Sequence, residues 1–167
     1  MEEGRIIKGI GGFYYVMSGD NLIECRARGI FREQGITPMV GDKVNFRFDE
    51  NTGTGYIEEI HERKSELLRP MVSNVTQAII VVSTKDPEPN LWLVDKMLTM
   101  AEEQKLNIVM CINKSDLDEQ KAKEFASLYD IAGYHTILTS NKTGLGIDEL
   151  RDLFNNNISV FAGASGS

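Results

Sequence analysis

The feature that most constrains the fold of this chain is a regular alternation of strand and helix patterns that begins near Pro70. The run QAIIVVS at residues 77–83 is continuously apolar and rich in β-branched side chains, which is typical of a parallel strand buried on both faces. A helical pattern follows, and strand-like runs recur at residues 107–113, 134–140 and 158–163. Parallel strands require long crossover connections, so the alternation predicts an α/β unit with right-handed crossovers.

The helical segments between these runs carry apolar residues at helical spacing, and we expect those residues to face the sheet. In the first segment they are Leu91, Val94, Leu98 and Ala101, and in the second they are Phe125, Leu128 and Ile131. A third segment, GIDELRDLFNN, precedes the last strand.

The first sixty or so residues have a different pattern, in which short strand-like runs alternate with glycine-containing turns. The runs are RIIKGI, FYYVMSG, LIECRARGI, KVNFRF and GYIEEIHER. A single small sheet of this size normally closes to remove its edges, which favours an OB-like or SH3-like barrel. The polar stretch 61–74 is interpreted as a hinge, and the predicted domains are residues 1–66 and 67–167.

Net charge, cysteine content and hydropathy bear on nucleic-acid binding, disulfide or zinc sites and membrane contact. The net charge of −7 provides no general attraction to nucleic acid, so RNA binding would need a local basic patch. Cys25 and Cys111 lie far apart and have no partner at metal spacing, which argues against a disulfide or a zinc site in this chain. Because no signal-peptide pattern and no membrane-length apolar run is found, we expect a cytoplasmic protein without membrane contact.

The second strand of the predicted α/β unit ends in Asn113, Lys114, Ser115 and Asp116, an N-K-x-D pattern. An Asp carboxylate can accept two hydrogen bonds from the N1–H and the exocyclic amine of guanine, whereas adenine has no such donor pair. The Asn amide can contact the other edge of the base, and the Lys stem can lie against its face. The alternative is an ordinary turn in which Asp116 caps the following helix.

Two more strands end in polar loops. The third is followed by Ser140, Asn141 and Lys142, the S-x-K form of a second base-contacting loop in GTPases; the alternative is a loop that only caps the next helix. The fourth is followed by residues that fit the start of a phosphate-binding loop, and the alternative is a flexible Gly/Ser tail. These residues are Gly163, Ala164, Ser165, Gly166 and Ser167.

The order of these motifs, with the base loops before the phosphate loop, is the reverse of the usual GTPase order and indicates a circular permutation. A small barrel followed by a permuted GTPase domain resembles the RsgA family of ribosome small-subunit-dependent GTPases. The stretches that carry the resemblance are VGDKVNFRFDENTGTGYIEEIHERKSELLRP, VSNVTQAIIVVS, NKSD, TSNKTGLGIDEL and ISVFAGASGS.

The resemblance implies an N-terminal five-stranded OB-fold barrel and an incomplete, circularly permuted P-loop GTPase domain. It implies a monomeric GTP hydrolase of late small-subunit (30S) maturation, with GTP or GDP and Mg²⁺ bound and ribosomal RNA contacted. Zinc is expected only in a C-terminal domain that this chain does not contain. Because the chain would end inside the phosphate loop, before its lysine, we expect it not to hydrolyse GTP by itself. No catalytic or metal-binding residue is assigned. The implied nucleotide-binding residues are Asn113, Lys114, Ser115, Asp116, Ser140, Asn141, Lys142 and Gly163–Ser167.

The barrel offers candidate RNA contacts, because OB surfaces bind nucleic acid through aromatic stacking and basic grooves. The candidates are Phe13, Tyr14, Arg26, Arg28, Arg32 and Arg47. Strand alternation turns about half of such residues inward, so at least one tyrosine is expected in the core. An alternative function is a non-catalytic OB-fold RNA-binding module with a structural α/β domain, whose RNA binding would depend on salt and ignore GTP.

Overall fold

The computed structural model describes residues 1–167, which divide into two compact units, Met1–Asn74 and Val75–Ser167. The observed boundary lies between residues 74 and 75, whereas the sequence predicts a boundary between residues 66 and 67. Residues 67–74 lie with the first unit because the backbone N–H of Ser73 donates to the Val40 carbonyl, and its hydroxyl donates to Asp42.

The first unit contains a closed five-stranded barrel in the order β1-β2-β3-β5-β4, which confirms the predicted barrel. Its strands are β1 (Glu2–Ile10), β2 (Phe13–Ser18), β3 (Asn21–Ala27), β4 (Lys43–Asp49) and β5 (Thr54–Ile60). Neighbouring strands are antiparallel except for β3 and β5, which pair in parallel. Apolar residues on alternate positions fill the interior, among them Ile6, Val16, Cys25, Val44, Phe46 and Ile57.

Two short elements complete the first unit where the sequence suggested only loop and hinge. Helix α1 (Gly29–Glu33) places Phe31 in the barrel core. The predicted hinge contains an antiparallel hairpin of β6 (Glu66–Leu68) and β7 (Met71–Ser73). Gly41 allows the close approach of this hairpin, because a Cβ at that position would lie 1.9 Å from the Ser73 carbonyl oxygen.

The second unit is a four-stranded parallel sheet in the order β10-β9-β8-β11, as the alternation of strands and helices predicts. Its strands are β8 (Gln77–Ser83), β9 (Asn107–Asn113), β10 (His135–Leu138) and β11 (Ser159–Gly163), and its helices are α2 (Leu91–Glu103), α3 (Glu119–Ile131) and α4 (Ile147–Asp152). The chain runs outward from β8 to β10 and then returns to the opposite side of β8. In such sheets ligands bind at the carboxyl ends of the strands, near the point where the order reverses.

Side chains of β8 and β9 are buried on both faces of the sheet, which explains their continuous apolar sequences. Ile80 and Met110 pack on one side with α2 and α3, whereas Ile79 and Val109 pack on the other side near α4. None of the helices combines the length and the apolar composition that crossing a membrane would require.

The predicted apolar stripe of α3 is wrong. The buried residues of this helix are Ala122 and Tyr129, with Phe125 partly buried, whereas Leu128 and Ile131 are exposed. Positions 122, 125 and 129 form an equally regular helical stripe, and a small residue at 122 lets the helix approach the sheet closely. In α2, Val94, Leu98 and Ala101 are buried as expected, but Leu91 is exposed.

Candidate nucleotide-binding site and barrel surface

Three polar loops lie along the carboxyl edge of the sheet in the second unit. They follow β9, β10 and β11, and they contain residues 113–116, 139–142 and 163–167 respectively. β9 and β11 each pair in parallel with β8, and β10 pairs in parallel with β9. The predicted site residues therefore lie at one edge of the sheet. Hydrogen bonds between the loops then fix their relative positions.

Asp116 and Ser140 connect the first two loops. The hydroxyl of Ser140, which is fully buried, donates a hydrogen bond of 2.6 Å to Oδ1 of Asp116. The same hydroxyl accepts a hydrogen bond of 3.2 Å from the backbone N–H of Thr143. Asp116 itself is exposed, so its carboxylate is held in one orientation and remains open to further donors.

Asn113 is oriented by a short chain of buried groups. The Thr139 hydroxyl donates to Oδ1 of Asn113 at 3.1 Å, and Sγ of Cys111 lies 3.1 Å from the same hydroxyl. Because a hydroxyl has only one hydrogen, the thiol is the donor in the second contact. Burial raises the pKa of Cys111 although the contact with Thr139 acts in the opposite direction, so the thiol keeps its proton. The amide NH₂ of Asn113 is thereby directed away from Thr139.

Lys114 has a left-handed backbone conformation, with φ of 56°, that is stabilised by Thr84. The buried Thr84 hydroxyl donates to the Lys114 carbonyl at 2.7 Å, and the Thr84 N–H donates to the Asn113 carbonyl at 3.1 Å. The Lys114 ammonium donates to the carbonyl oxygens of Asp86 and of Gly166, the latter at 2.6 Å. This side chain therefore links the loop after β9 to the glycine-containing loop.

Ser115 points into the protein rather than toward the open edge. Its hydroxyl donates to the Thr139 carbonyl at 3.0 Å, and its backbone N–H donates to the same oxygen at 3.1 Å. Asn141 and Lys142, by contrast, are exposed at the tip of the loop after β10. Of the predicted residues, Ser115 thus fixes loop positions, whereas Asn141 and Lys142 are available to contact a ligand.

The loop after β11 requires glycine at two positions. A Cβ on Gly163 would lie 2.7 Å from the Val81 carbonyl oxygen, and Gly166 has a φ of 80°. The N–H and the hydroxyl of Ser167 both donate to the Ala164 carbonyl, at 3.1 and 2.7 Å, which closes a turn. Successive backbone N–H groups in a turn of this kind can form a concave site for an anion.

A row of alternating aromatic and arginine side chains crosses the outside of the barrel. Phe13 on β2 pairs with Arg26 on β3, Arg26 with Tyr56 on β5, and Tyr56 with Arg47 on β4. Directly paired residues project from the same face, so these four form one ladder. The Arg26 guanidinium lies 4.7 Å from the Phe13 ring centroid. Tyr56 is not among the residues predicted from sequence, because only the pairing of β5 with β3 and β4 identifies it.

The other barrel candidates are placed differently. Tyr14 packs against the barrel core, in keeping with the expectation that one tyrosine points inward. Arg28 is ion-paired with Glu58, whose carboxylate also lies 3.8 Å from Nε of Arg47. Arg32 lies on α1 and lines a groove together with Arg28, and no ladder residue lines that groove.

Fold and loop order together define a class of protein. A closed five-stranded barrel precedes a parallel sheet whose N-K-x-D loop comes before the glycine-containing loop, which is the architecture of a circularly permuted P-loop GTPase with an N-terminal OB-like barrel. The RsgA GTPase family matches residues 60–167, and the RsgA N-terminal domain family matches residues 3–57. The chain therefore belongs to the RsgA GTPase family, which confirms the resemblance found in the sequence.

Curated relatives of the chain carry the name of the same family. The chain is 46% identical over 166 residues to the small ribosomal subunit biogenesis GTPase RsgA of Clostridium beijerinckii, covering 99% of this chain and 57% of that protein. It is 43% identical over 168 residues to the RsgA of Alkaliphilus metalliredigens, covering 99% of this chain and 58% of that protein. The chain thus spans little more than half the length of the curated relatives it matches.

Two solved structures are similar over nearly the whole chain. One is YloQ, described as a circularly permuted GTPase, with a TM-score of 0.78 and 39% identity over 99% of this chain and 61% of that one. The other is YjeQ from Thermotoga maritima, with a TM-score of 0.82, 38% identity and the same coverage.

Proposed function

We propose that the protein containing this chain is a cytoplasmic GTPase that acts, as a monomer, in late maturation of the small ribosomal subunit. Membership of the RsgA family and the names of its relatives support the general activity. The observation that carries the proposal is the carboxylate of Asp116, exposed at the strand edge and oriented by Ser140.

Guanine selectivity follows from this carboxylate. Its two oxygens can accept from the N1–H and the amine of guanine, whereas adenine presents no such pair and would add no donor to the one that Ser140 supplies. The NH₂ group of Asn113 can donate to an acceptor on the other edge of the base, because Thr139 already occupies the amide oxygen. Residues 140–142 close the base site from the side of β10.

The phosphates of GTP or GDP would lie at the loop formed by residues 163–167, where the backbone N–H groups other than that of Ser167 can face an anion. Mg²⁺ enters the proposal only together with the nucleotide, where it would neutralise phosphate charge. No group of three or more His, Cys, Asp or Glu side chains in the chain is arranged to hold a metal ion. We propose no particular Mg²⁺ ligand among these residues.

Contact with ribosomal RNA is proposed for the outside of the barrel, at the ladder of Phe13, Arg26, Tyr56 and Arg47. Aromatic rings can stack on unpaired bases, and the arginines between them can contact phosphates or stack as well. The overall net charge of −7 means that RNA binding must arise from this local surface.

The test is the variant Asp116→Asn in the full-length protein, with binding measured for fluorescent GDP, ADP and xanthosine diphosphate. Each hydrogen bond to a charged group contributes about 1.5–3 kcal/mol, so losing two should weaken GDP binding by roughly two to four orders of magnitude. Binding of xanthosine diphosphate should improve, since Asn can donate to its additional carbonyl. Asp118→Asn is the matched control, because Asp118 only caps α3 through the Lys121 N–H and Asn caps equally well.

Unchanged GDP binding in Asp116→Asn would contradict the assignment of the base site. The alternative function, a non-catalytic RNA-binding module, predicts RNA binding that falls with salt and is the same with or without GDP. Nucleotide binding that fails to distinguish GDP from ADP, together with such RNA binding, would favour that alternative.

A further inference from the structure

A groove of about 420 Å³ lies between α2 and α3, the two helices that cover one face of the sheet in the second unit. Leu91 and Leu98 line it from α2, and Leu128 and Tyr129 line it from α3. The residues that line the groove belong to neither the strand-edge loops nor the barrel, so the proposed nucleotide and RNA sites do not account for it.

Large apolar side chains are exposed along the groove. Leu128, which lines it, is 50% exposed, and Ile131, one helical turn further along α3, is 85% exposed. On α2, Trp92 is 70% exposed and lies next to Leu91. Large apolar side chains exposed beside a groove are a feature of protein interaction sites. This also explains why the regular spacing of Leu128 and Ile131 predicted a buried stripe.

The charges at the groove are negative. Asp95 lines it, and Glu102 accepts a hydrogen bond from the Tyr134 hydroxyl, while neither Lys nor Arg is among the lining residues. The hydrogen bond to Glu102 raises the pKa of Tyr134 to about 12, with further contributions from burial and from the charges of Glu102 and Asp95. Burial and then the charge of Asp95 raise the pKa of Tyr129. Phosphate groups would be repelled here, whereas cationic side chains would be attracted.

We propose that this groove binds a basic, amphipathic polypeptide segment of a partner protein. Apolar side chains of that segment would enter the groove at Leu98 and Leu128, and its Lys or Arg side chains would lie beside Asp95 and Glu102. This interaction does not depend on the nucleotide site and adds a second contact surface to the protein.

Trp92 is the only tryptophan of the chain and is the neighbour of Leu91, which lines the groove, so its fluorescence serves as a probe beside the groove. The probe is a synthetic amphipathic helix of leucine and lysine, titrated into the full chain. A helix of leucine and glutamate with the same pattern and a single-stranded RNA oligonucleotide are the comparison ligands. We expect a saturable blue shift with the leucine–lysine helix and no saturable change with either of the others.

Leu128→Asp should weaken binding of the leucine–lysine helix about tenfold, since burying a leucine contributes roughly that much to affinity. Leu22→Asp is the matched control, because Leu22 is similarly exposed on the barrel and should bind the helix like the unmodified chain. Asp95→Lys is a second variant, at an exposed side chain. It should bind the leucine–glutamate helix more tightly than the leucine–lysine helix, the reverse of the unmodified chain. Equal affinities of Leu128→Asp and Leu22→Asp, an unchanged preference in Asp95→Lys, or equal binding of RNA would overturn the proposal.

Discussion

Removal of the Asp42 carboxylate should strongly destabilise the first unit. Asp42 is 0% exposed, and both of its oxygens are engaged by Arg63, through Nε to Oδ1 and Nη2 to Oδ2 at 2.8 Å each. The Ser73 hydroxyl also donates to Oδ1 at 2.6 Å, and the Met39 N–H donates to Oδ2 at 2.8 Å. One buried side chain therefore connects the barrel, the segment after β5 and the hairpin β6–β7.

The expected loss in the free energy of unfolding follows from the Arg63 guanidinium, which Asp42→Ala leaves without its buried partner. A guanidinium stays protonated in proteins, so Arg63 cannot avoid the loss of its partner by releasing a proton. Breaking a buried ion pair on one side costs about 3–5 kcal/mol. Arg63 keeps its contacts with Glu66 and with the Thr37 carbonyl, which places the expected loss near the lower limit, about 3 kcal/mol.

Urea unfolding followed by circular dichroism measures this loss. With a urea dependence of about 1–3 kcal/mol per molar, the midpoint of the first unit should fall by roughly 1–3 M. Glu58→Gln is the control, since its pairs with Arg28 and Arg47 lie at the surface and should contribute at most about 1 kcal/mol. A loss in Asp42→Ala no larger than that in Glu58→Gln would refute the reasoning.

Two more predictions concern the barrel surface and the thiols. Glu58→Gln should increase the affinity for single-stranded RNA and make its salt dependence steeper, because Arg28 and Arg47 lose a competing carboxylate. Fluorescence anisotropy at several salt concentrations measures both effects. Unchanged binding would count against RNA contact at this part of the barrel. Burial raises the pKa of Cys25 to about 11, with smaller contributions from Glu2 and Glu24, and burial also raises the pKa of Cys111. At pH 8 both thiols should therefore react with a thiol-specific disulfide reagent only after unfolding, and rapid reaction of either one in the folded chain would contradict the burial argument.

The sequence predicts those parts of the fold whose signals are local. Residues 77–83 and 107–113 are apolar throughout because both faces of their strands are buried, so composition alone indicates parallel strands. The N-K-x-D loop is recognisable because four adjacent residues carry it. The barrel follows from short strands and turns, although the sequence alone left OB-like and SH3-like closures open.

Other features depend on residues that are distant in sequence. The hairpin β6–β7 was interpreted as a hinge because its polar neighbourhood gives no indication that Arg63 and Ser73 bind the buried Asp42. Tyr56 joins the aromatic–arginine ladder only through the pairing of β5 with its neighbours. For α3, two stripes were equally regular, and the packing of Ala122 against the sheet decided between them.

The strand edge is organised before any ligand arrives, and buried hydroxyls are responsible. Ser140 orients Asp116, Thr139 orients Asn113, and Thr84 holds the Lys114 backbone in its left-handed conformation. Each hydroxyl belongs to a residue that follows a strand within two positions, so the sheet determines where the polar groups point. In the base site proposed above, a bound base would find these side chains already ordered, which would lower the entropic cost of binding. Guanine selectivity, as proposed, would then depend on whether the base supplies donors to a carboxylate that Ser140 already orients, because a polar group that loses water without gaining a partner is costly.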